Sequence, residues 1–555
     1  MPKFAVGVDF GTLSARALVA EIGTGRELGA ATMDYPHAVM TRALPNGTPL
    51  KPDWALQHPR DYLDCLGFVV PEALRRSGVD PADVVGMGID CTASTSLPVD
   101  ADGTPLCFHH RFSSVPHAWP MLWKHHAAQP YATRMQQAAE SRGESFLARY
   151  GGKVSSEWLM PKLWQILDEA PEVYAAADRF IEAGDWIVYK LTGVERRSAA
   201  IAGYKAFWHK EDGYPSEEFF AALDPRLARV VDEKLSRALY PAGTRAGGLD
   251  AFGAKLTGLP VGTPVAVANI DAHVSLPPAG VVEPGRLLMI LGTSTCHIVL
   301  GAEERAVPGI CGVVEDGVVP GLYGYEAGQS CCGDHFKWLI ENFVPGSDAA
   351  EAAARGIGLH ELLTERASAL RPGESGLIAL DWWNGNRSVL VDMDLTGLMV
   401  GMTLATRPEE VYRALIEATA YGTRAIVENF ASHGVRVDSL CACGGIAKKN
   451  PLMMQIYADV LGREIHIARS AQTPALGSAM YGAVAAGGAG GGYDTIAEAS
   501  RAMGGVEDSA YAPDAEASRV YDALYAEYIR LHDLFGRGGC DVMKRLKRIR
   551  ERAIR

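Results

Sequence analysis

Two stretches half a chain apart repeat one pattern. Residues 4–21, FAVGVDFGTLSARALVAE, and residues 287–302, LLMILGTSTCHIVLGA, each read as an apolar strand, a Gly-Thr turn rich in hydroxyls, and a second apolar strand. Gly11-Thr12-Leu13-Ser14 matches Gly292-Thr293-Ser294-Thr295. One such hairpin alone is an ordinary β-turn, because Gly, Ser and Thr are what tight turns use. Two of them constrain the chain far more. They predict two related halves, each offering one polar tip to a ligand held in the cleft between them. The Pro and Gly of LPPAGVVEPG put the boundary near 275–285.

The rest of the chain fits an α/β class, since strand-like and amphipathic helical patterns alternate throughout. At 555 residues it is also too long for one ordinary domain. WLMPKLWQILDEA (158–170) spaces Leu163, Ile166 and Leu167 along one helical face, and AAIAGYKAFWH (199–209) reads as a loop. AAGGAGGGY (485–493) reads as a flexible loop or linker rather than a functional loop. A net charge of −13 excludes a non-specific nucleic-acid binder, which needs a basic face. The one basic run, MKRLKRIRERAIR (543–555), reads as a solvated terminal helix. No apolar run is long enough to span a membrane, and MPKFAVGVDF lacks the pattern of a signal peptide. The ten cysteines include no C-x-x-C pair, so they read as small buried side chains rather than metal ligands. These features together predict a reduced, cytoplasmic protein with neither nucleic acid nor membrane as partner.

The polar tips look built for phosphate, yet the common phosphate loops are absent. Gly152-Lys153 is followed by Val154 and lacks the earlier glycine of a P-loop, and Gly7-Val8-Asp9 breaks the dinucleotide fingerprint. A hairpin can do the same work: glycine admits a phosphate close to the backbone, and turn amides with Thr or Ser hydroxyls donate to its oxygens. Asp9 would repel a bare polyphosphate. Its position at the tip therefore calls for Mg²⁺ between carboxylate and phosphate, with waters retained on the ion.

In this order, DFGTLSAR (9–16), GTSTC (292–296) and CACGGIAKKNPLMMQIYADVLG (441–462) resemble the two phosphate motifs and the adenosine segment of the FGGY carbohydrate kinases, within the actin, Hsp70 and sugar-kinase superfamily. The resemblance spans residues 4–485 and implies two actin-like (ribonuclease H-like) ATPase domains flanking a nucleotide and sugar cleft. It divides the chain into 1–281, with the first clamp and sugar site; 282–490, with the second clamp and adenosine site; and 491–555, a helical extension ending in the basic tail. It implies ATP and Mg²⁺. Gly11, Thr12, Ser14, Gly292, Thr293, Ser294, Gly444 and Gly445 would hold the nucleotide, and Asp9 the metal through water. Asp271, in VAVANIDAHVS, falls where the family carries its catalytic base. In the third motif, Asn450 and Pro451 read as the N-cap and first residue of a helix burying Leu452, Ile456, Tyr457 and Val460.

Five further stretches are similar to the branch of that family that phosphorylates ribulose: GIDCTASTSLPVD (88–100), GGKVSSEWLMPKLWQ (151–165), EAGDWIVYKLTG (182–193), AGYKAFWH (202–209) and YGYEAGQSCCGDHFKWL (323–339). Carried across position by position, the sugar site would use the backbone around Ala93, with Lys205, Asp271 and Glu326. Carboxylates suit the hydroxyls of a pentulose, and an ammonium suits its oxygens. The implied reaction is phosphoryl transfer from ATP to the 5-hydroxyl of L-ribulose, with D-ribulose and related pentitols as further acceptors, and the resemblance leaves room for a homodimer. Two alternatives stay open at this point: another pentulokinase such as a xylulose kinase, and an actin- or Hsp70-like ATPase. Trp158, Trp208 and the Trp382-Trp383 pair read as core packing. One departure stands out: AQTPALGSAMYGAVAAG (471–487) has Thr473-Pro474 where many family members carry a glutamate, while its small residues predict close helix packing.

Overall fold

The computed structural model describes residues 2–554, so Arg555 of the basic tail lies outside the described residues. Two sheets organise the chain. The first contains β1 (Phe4–Phe10), β2 (Ser14–Glu21), β3 (Glu27–Asp34), β4 (Val84–Cys91), β5 (Arg245–Gly248) and β6 (Pro264–Ala266) in the order β3-β2-β1-β4-β6-β5, with β7 (Asn269–Ile270) pairing β4 beyond β6. The second contains β8 (Arg286–Leu291), β9 (Thr295–Gly301), β10 (Gly312–Glu315), β11 (Tyr323–Gln329), β12 (Ser439–Cys443), β13 (Ile465–Ala468) and β14 (Val506–Tyr511) in the order β10-β11-β9-β8-β12-β13-β14.

The repeat seen in the sequence is thus a repeat of topology. β1 runs antiparallel to β2 and parallel to β4; β8 runs antiparallel to β9 and parallel to β12. Parallel strands need a crossover, and each half supplies a long helix before the strand that lies parallel to its first. These are α1 (Pro59–Ser77) in the first half and a 25-residue helix, Pro408–Ser432, in the second. Both central strands are covered on two faces and read as near-continuous apolar runs.

Three glycines on the first sheet have a specific use. A Cβ on Gly7, Gly86 or Gly88 would come within 1.8, 2.1 and 1.9 Å of the carbonyl oxygens of Ala475, Gly482 and Ser478. Those carbonyls belong to the helix Thr473–Ala486, which leaves the second half of the chain and lies across β1 and β4. Its small residues are therefore packing residues: a Cβ on Gly477 would meet the Val274 carbonyl oxygen at 1.7 Å. The segment between β3 and α1 and the chain between β4 and β5 together build a further lobe with its own core, which includes Trp54, Trp119, Trp158 and Trp164.

Four segments differ in local structure from their sequence reading or refine it. Residues 199–209 begin as a helix, Ala199–Lys205, not a loop; Ser198 caps it by accepting from the Ile201 N–H, and its small Gly203 lets it press on Val314. The glycine run after Ala486 is a tight return rather than a flexible linker. Gly492 N–H donates to the Gly487 carbonyl, Tyr493 N–H donates to the Ala483 carbonyl, and a Cβ on Gly492 would sit 1.9 Å from the Ala483 oxygen. The segment 491–555 is not wholly helical, because β14 pairs with β13 and closes the edge of the second sheet. Asn450 Oδ1 accepts from the Met453 N–H at 3.0 Å, and the helix Pro451–Leu461 buries Ile456, Tyr457 and Val460, while Leu452 is half-buried.

Candidate active site

Three clusters meet where strands of the two sheets end, the edge at which α/β sheets hold ligands. The first is a group of carboxylates. Asp9 and Asp90 are register partners on the parallel pair β1–β4, and Asn269 on β7 pairs with Asp90 from its other side. Asp271 follows β7 at once and opens a short helical turn, where its Oδ1 accepts the Ala272 N–H at 2.7 Å. Asp90 Oδ2 accepts the Ser478 hydroxyl at 2.5 Å, whereas Asp90 Oδ1 is buried without a partner. Desolvation raises the pKa of Asp9 and pushes Asp90 well above the carboxylate range, the charge of Asp9 adding to the latter. Asp271 is pushed up to about 7, first by desolvation and then by Asp9. Crowded carboxylates with an orphaned buried oxygen suit a divalent cation, which would relieve both burdens at once.

The two hairpin tips form the second cluster. Gly11 N–H donates to the Ser14 carbonyl at 2.9 Å, three residues on, and Gly292 N–H to the Ser294 carbonyl at 3.0 Å, two residues on, so the second tip is closed more tightly. The Thr12 carbonyl accepts from Gln57 Nε2 at 2.9 Å, and its hydroxyl oxygen accepts from the Trp123 indole N–H at 3.1 Å. That leaves the Thr12 hydroxyl proton free to donate. On the second tip, the Gly292 and Thr293 carbonyls accept the N–H groups of Gly333 and Cys332 at 3.0 and 2.9 Å. Gly444 has φ +97°, and a Cβ there would lie 2.4 Å from the Leu291 oxygen, so only glycine fits beside this tip. Gly445 begins the next helix with open space above its Cα. Among the described residues no hydrogen bond or ion pair joins one tip to the other.

The third cluster surrounds Glu326, on β11. Its Oε1 accepts from Arg387 Nη2 at 2.7 Å; its Oε2 lies 3.1 Å from His273 Nε2 and 3.7 Å from Lys205 Nζ. Burial alone would raise the Glu326 pKa, but Lys205, His273 and Arg387 outweigh it and hold the carboxyl well below the usual range. Glu326 and Lys205 are both buried, not surface charges. Lys205 and His273 come from the first half and Glu326 from the second, so the cluster bridges the halves. The nearby Tyr204 hydroxyl donates to the Gly324 carbonyl at 2.6 Å. Ala93 sits just past β4, and the preceding Thr92 N–H donates to the Phe10 carbonyl at the root of the first hairpin.

Four residues here escaped the sequence reading. Asp90 had a visible signal, because GIDC (88–91) repeats the GVDF of 7–10. His273 lies two residues beyond Asp271 and shares its turn. Trp123 and Arg387 reach the site from long irregular segments, and no local pattern marks them. Trp158 and Trp382 are buried in cores, as read.

The family described as the FGGY family of carbohydrate kinases matches the chain twice: its N-terminal domain over residues 4–276 and its C-terminal domain over residues 287–486. A ribulokinase of Geobacillus thermodenitrificans (strain NG80-2) is 56% identical over 552 residues, covering 99% of this chain and 98% of that protein. A ribulokinase of Mycolicibacterium smegmatis is 52% identical over 558 residues, covering 100% of this chain and 98% of that protein. Among solved structures, a xylulose kinase from Rhodospirillum rubrum shares the fold with a TM-score of 0.77 at 24% identity, covering 96% of this chain and 98% of that one. The two halves have the α/β architecture of the two-domain sugar kinases.

Proposed function

The chain belongs to the FGGY family of carbohydrate kinases, and from that premise we propose that it is an ATP-dependent ribulokinase, transferring the γ-phosphoryl group of ATP to the 5-hydroxyl of ribulose. The observation that carries the reading is Asp271: a carboxylate at a strand end, within reach of the charges of Asp9 on the first hairpin and of Glu326 and Lys205, with its pKa raised to about 7. A base of that strength is matched to neutral pH. In the step, Asp271 takes the proton of the acceptor hydroxyl as its oxygen bonds to phosphorus, and the bond to the ADP oxygen breaks.

The hairpin amides with Thr12, Ser14, Thr293 and Ser294 hold the phosphates, and the Gly444-Gly445 turn leaves the nucleotide room beside the second tip. Asp9 and Asp90 are the groups that would hold Mg²⁺, which supplies charge neutralisation for the phosphates when bound. Lys205, Glu326 and the Ala93 main chain orient the sugar. The residues are divided as 1–281 and 282–490, with 491–555 completing the second half.

The high identity to ribulokinases along nearly the whole chain favours ribulose, whereas the xylulose-kinase likeness concerns the fold alone. An actin-like ATPase without a sugar substrate leaves the bridging Lys205–Glu326–Arg387 cluster without a purpose. ADP formation measured on L-ribulose, D-ribulose, D-xylulose and the matching pentitols tests the reading. Turnover is expected to be highest on L-ribulose. Preference for D-xylulose, or ADP release indifferent to any pentulose, would overturn it.

A further inference from the structure

Two stretches that resemble the ribulose branch, 151–165 and 182–193, contribute no residue to the site described so far. The first carries one buried charged side chain, Lys162; the second carries two, Glu182 and Asp185, and Asp185 is spent on the Ser198 N–H. Lys162 lies in the helix Leu159–Glu169 and is fully buried, with every hydrogen bond of its ammonium made to a main-chain carbonyl: Ser94 at 2.7 Å, Leu122 at 3.0 Å and Met121 at 3.1 Å. Glu182 ends the strand Arg179–Glu182, and its Oε2 accepts the Thr95 N–H at 2.7 Å.

A lysine buried this way is costly, because its charge loses water and gains only neutral carbonyls in direct contact. Desolvation pulls its pKa down to about 7, and the nearby charge of Glu182 is the main influence that opposes the fall. The arrangement has a clear geometric effect. Thr92 N–H is tied to Phe10, the Ser94 carbonyl to Lys162, the Thr95 N–H to Glu182 and the Thr95 carbonyl to the Ala183 N–H. Between these anchors, Ala93 is the residue whose main-chain N–H and C=O take no partner among the described residues.

We infer that Lys162 and Glu182 are positioning residues for the sugar: by holding the Ser94 carbonyl and the Thr95 N–H, they fix the 92–95 loop so that the free main-chain groups of Ala93 face the pentulose. Neither residue touches the substrate. This rests on the reading of Ala93 as part of the ribulose site. It explains why two distant stretches accompany that specificity: one supplies the cation and the other the carboxylate that together hold a single loop.

The test is steady-state kinetics of the full chain, with ribulose and ATP varied separately, for Lys162→Met, Glu182→Leu and Glu182→Gln. Lys162→Met and Glu182→Leu are expected to raise KM for ribulose about 10-fold or more, with KM for ATP held within about 2-fold. Sugar-independent ADP formation should stay at the wild-type rate. Glu182→Gln keeps an acceptor oxygen for the Thr95 N–H and should return KM towards the wild-type value. An unchanged KM for ribulose, or a parallel loss in both KM values, overturns the inference. If Lys162→Met does not fold, the Glu182 pair decides by the same readings. A wild-type protein that does not use ribulose defeats the ribulokinase reading itself; a wild-type protein that does, with unaffected variants, defeats only the role of Lys162 and Glu182.

Discussion

Asp9 and Asp90 face each other as register partners on adjacent parallel strands, and both are driven towards the protonated form, chiefly by desolvation. Two carboxylates so placed share protons until a cation displaces them. Mg²⁺ binding is therefore expected to release protons, seen as a binding enthalpy that changes with the ionisation enthalpy of the buffer. Removing divalent cations with EDTA should abolish ADP formation and added Mg²⁺ restore it. Asp9→Asn should raise the Mg²⁺ needed for half-maximal activity by about 10-fold or more.

Asp271 sets the pH dependence. As a base it must be ionised, so kcat/KM for ribulose should fall as pH drops through its pKa of about 7. Asp271→Asn should lose roughly 10²- to 10⁴-fold in kcat and show no such limb. The same group acts on stability in the opposite sense. Its folded pKa lies above the unfolded value of 3.8, so its contribution is full below that value and is lost as pH rises towards 7. Thermal midpoints measured across that window without Mg²⁺ should slope less steeply in Asp271→Asn than in the wild type. Equal slopes would show that this carboxyl is not titrating there.

Arg387 reaches Glu326 Oε1 at 2.7 Å from an irregular segment, and its guanidinium acts with the Lys205 ammonium and the hydrogen bond from His273 to keep the carboxyl ionised. Arg387→Met removes one charge-assisted hydrogen bond while His273 and Lys205 remain, a loss of about 1.5–3 kcal/mol. The denaturant midpoint should drop accordingly. Because the folded pKa of Glu326 is depressed, its stabilisation is present above the unfolded value of 4.5 and is lost as pH falls. The variant should therefore differ most from the wild type near neutral pH and converge with it in acid. KM for ribulose should rise with the loss, since the Lys205–Glu326 pair would no longer be fixed from both sides.

These outcomes bear on what a sequence can disclose. The two hairpins and the Gly-Gly turn were legible because each is local, a strand and a turn, whereas Asp271 at its strand end was marked only by the family resemblance. Even Asp90 was written in the repeat of GVDF as GIDC. What the chain could not disclose locally are pairings made across distance. The Thr12 hydroxyl meets Trp123, Glu326 meets Arg387 and Lys162 meets Ser94, and no spacing rule joins such partners. Small residues also read ambiguously. AAIAGYKAFWH looked like a loop because Ala and Gly carry no helical stripe, yet their smallness is what allows that helix to press on β10.

Gly88 gives the sharpest steric test. A Cβ there would lie 1.9 Å from the Ser478 carbonyl oxygen and 2.8 Å from its carbon, both backbone atoms that no rotamer change can move aside. The helix Thr473–Ala486 would have to lift from β4, and Ser478 would lose its bond to Asp90. Gly88→Ala is thus expected to destabilise the protein by about 1–3 kcal/mol or more, the usual cost of overpacking. It should also weaken Mg²⁺ binding, because Asp90 is no longer held. Gly23→Ala is the matched control: nothing lies within 4 Å of a Cβ at that position, so its effect should stay within about 0.5 kcal/mol. Equal thermal midpoints for the two variants would mean that the helix is not seated on glycine, and the account of how the second half grips the first would fall with it.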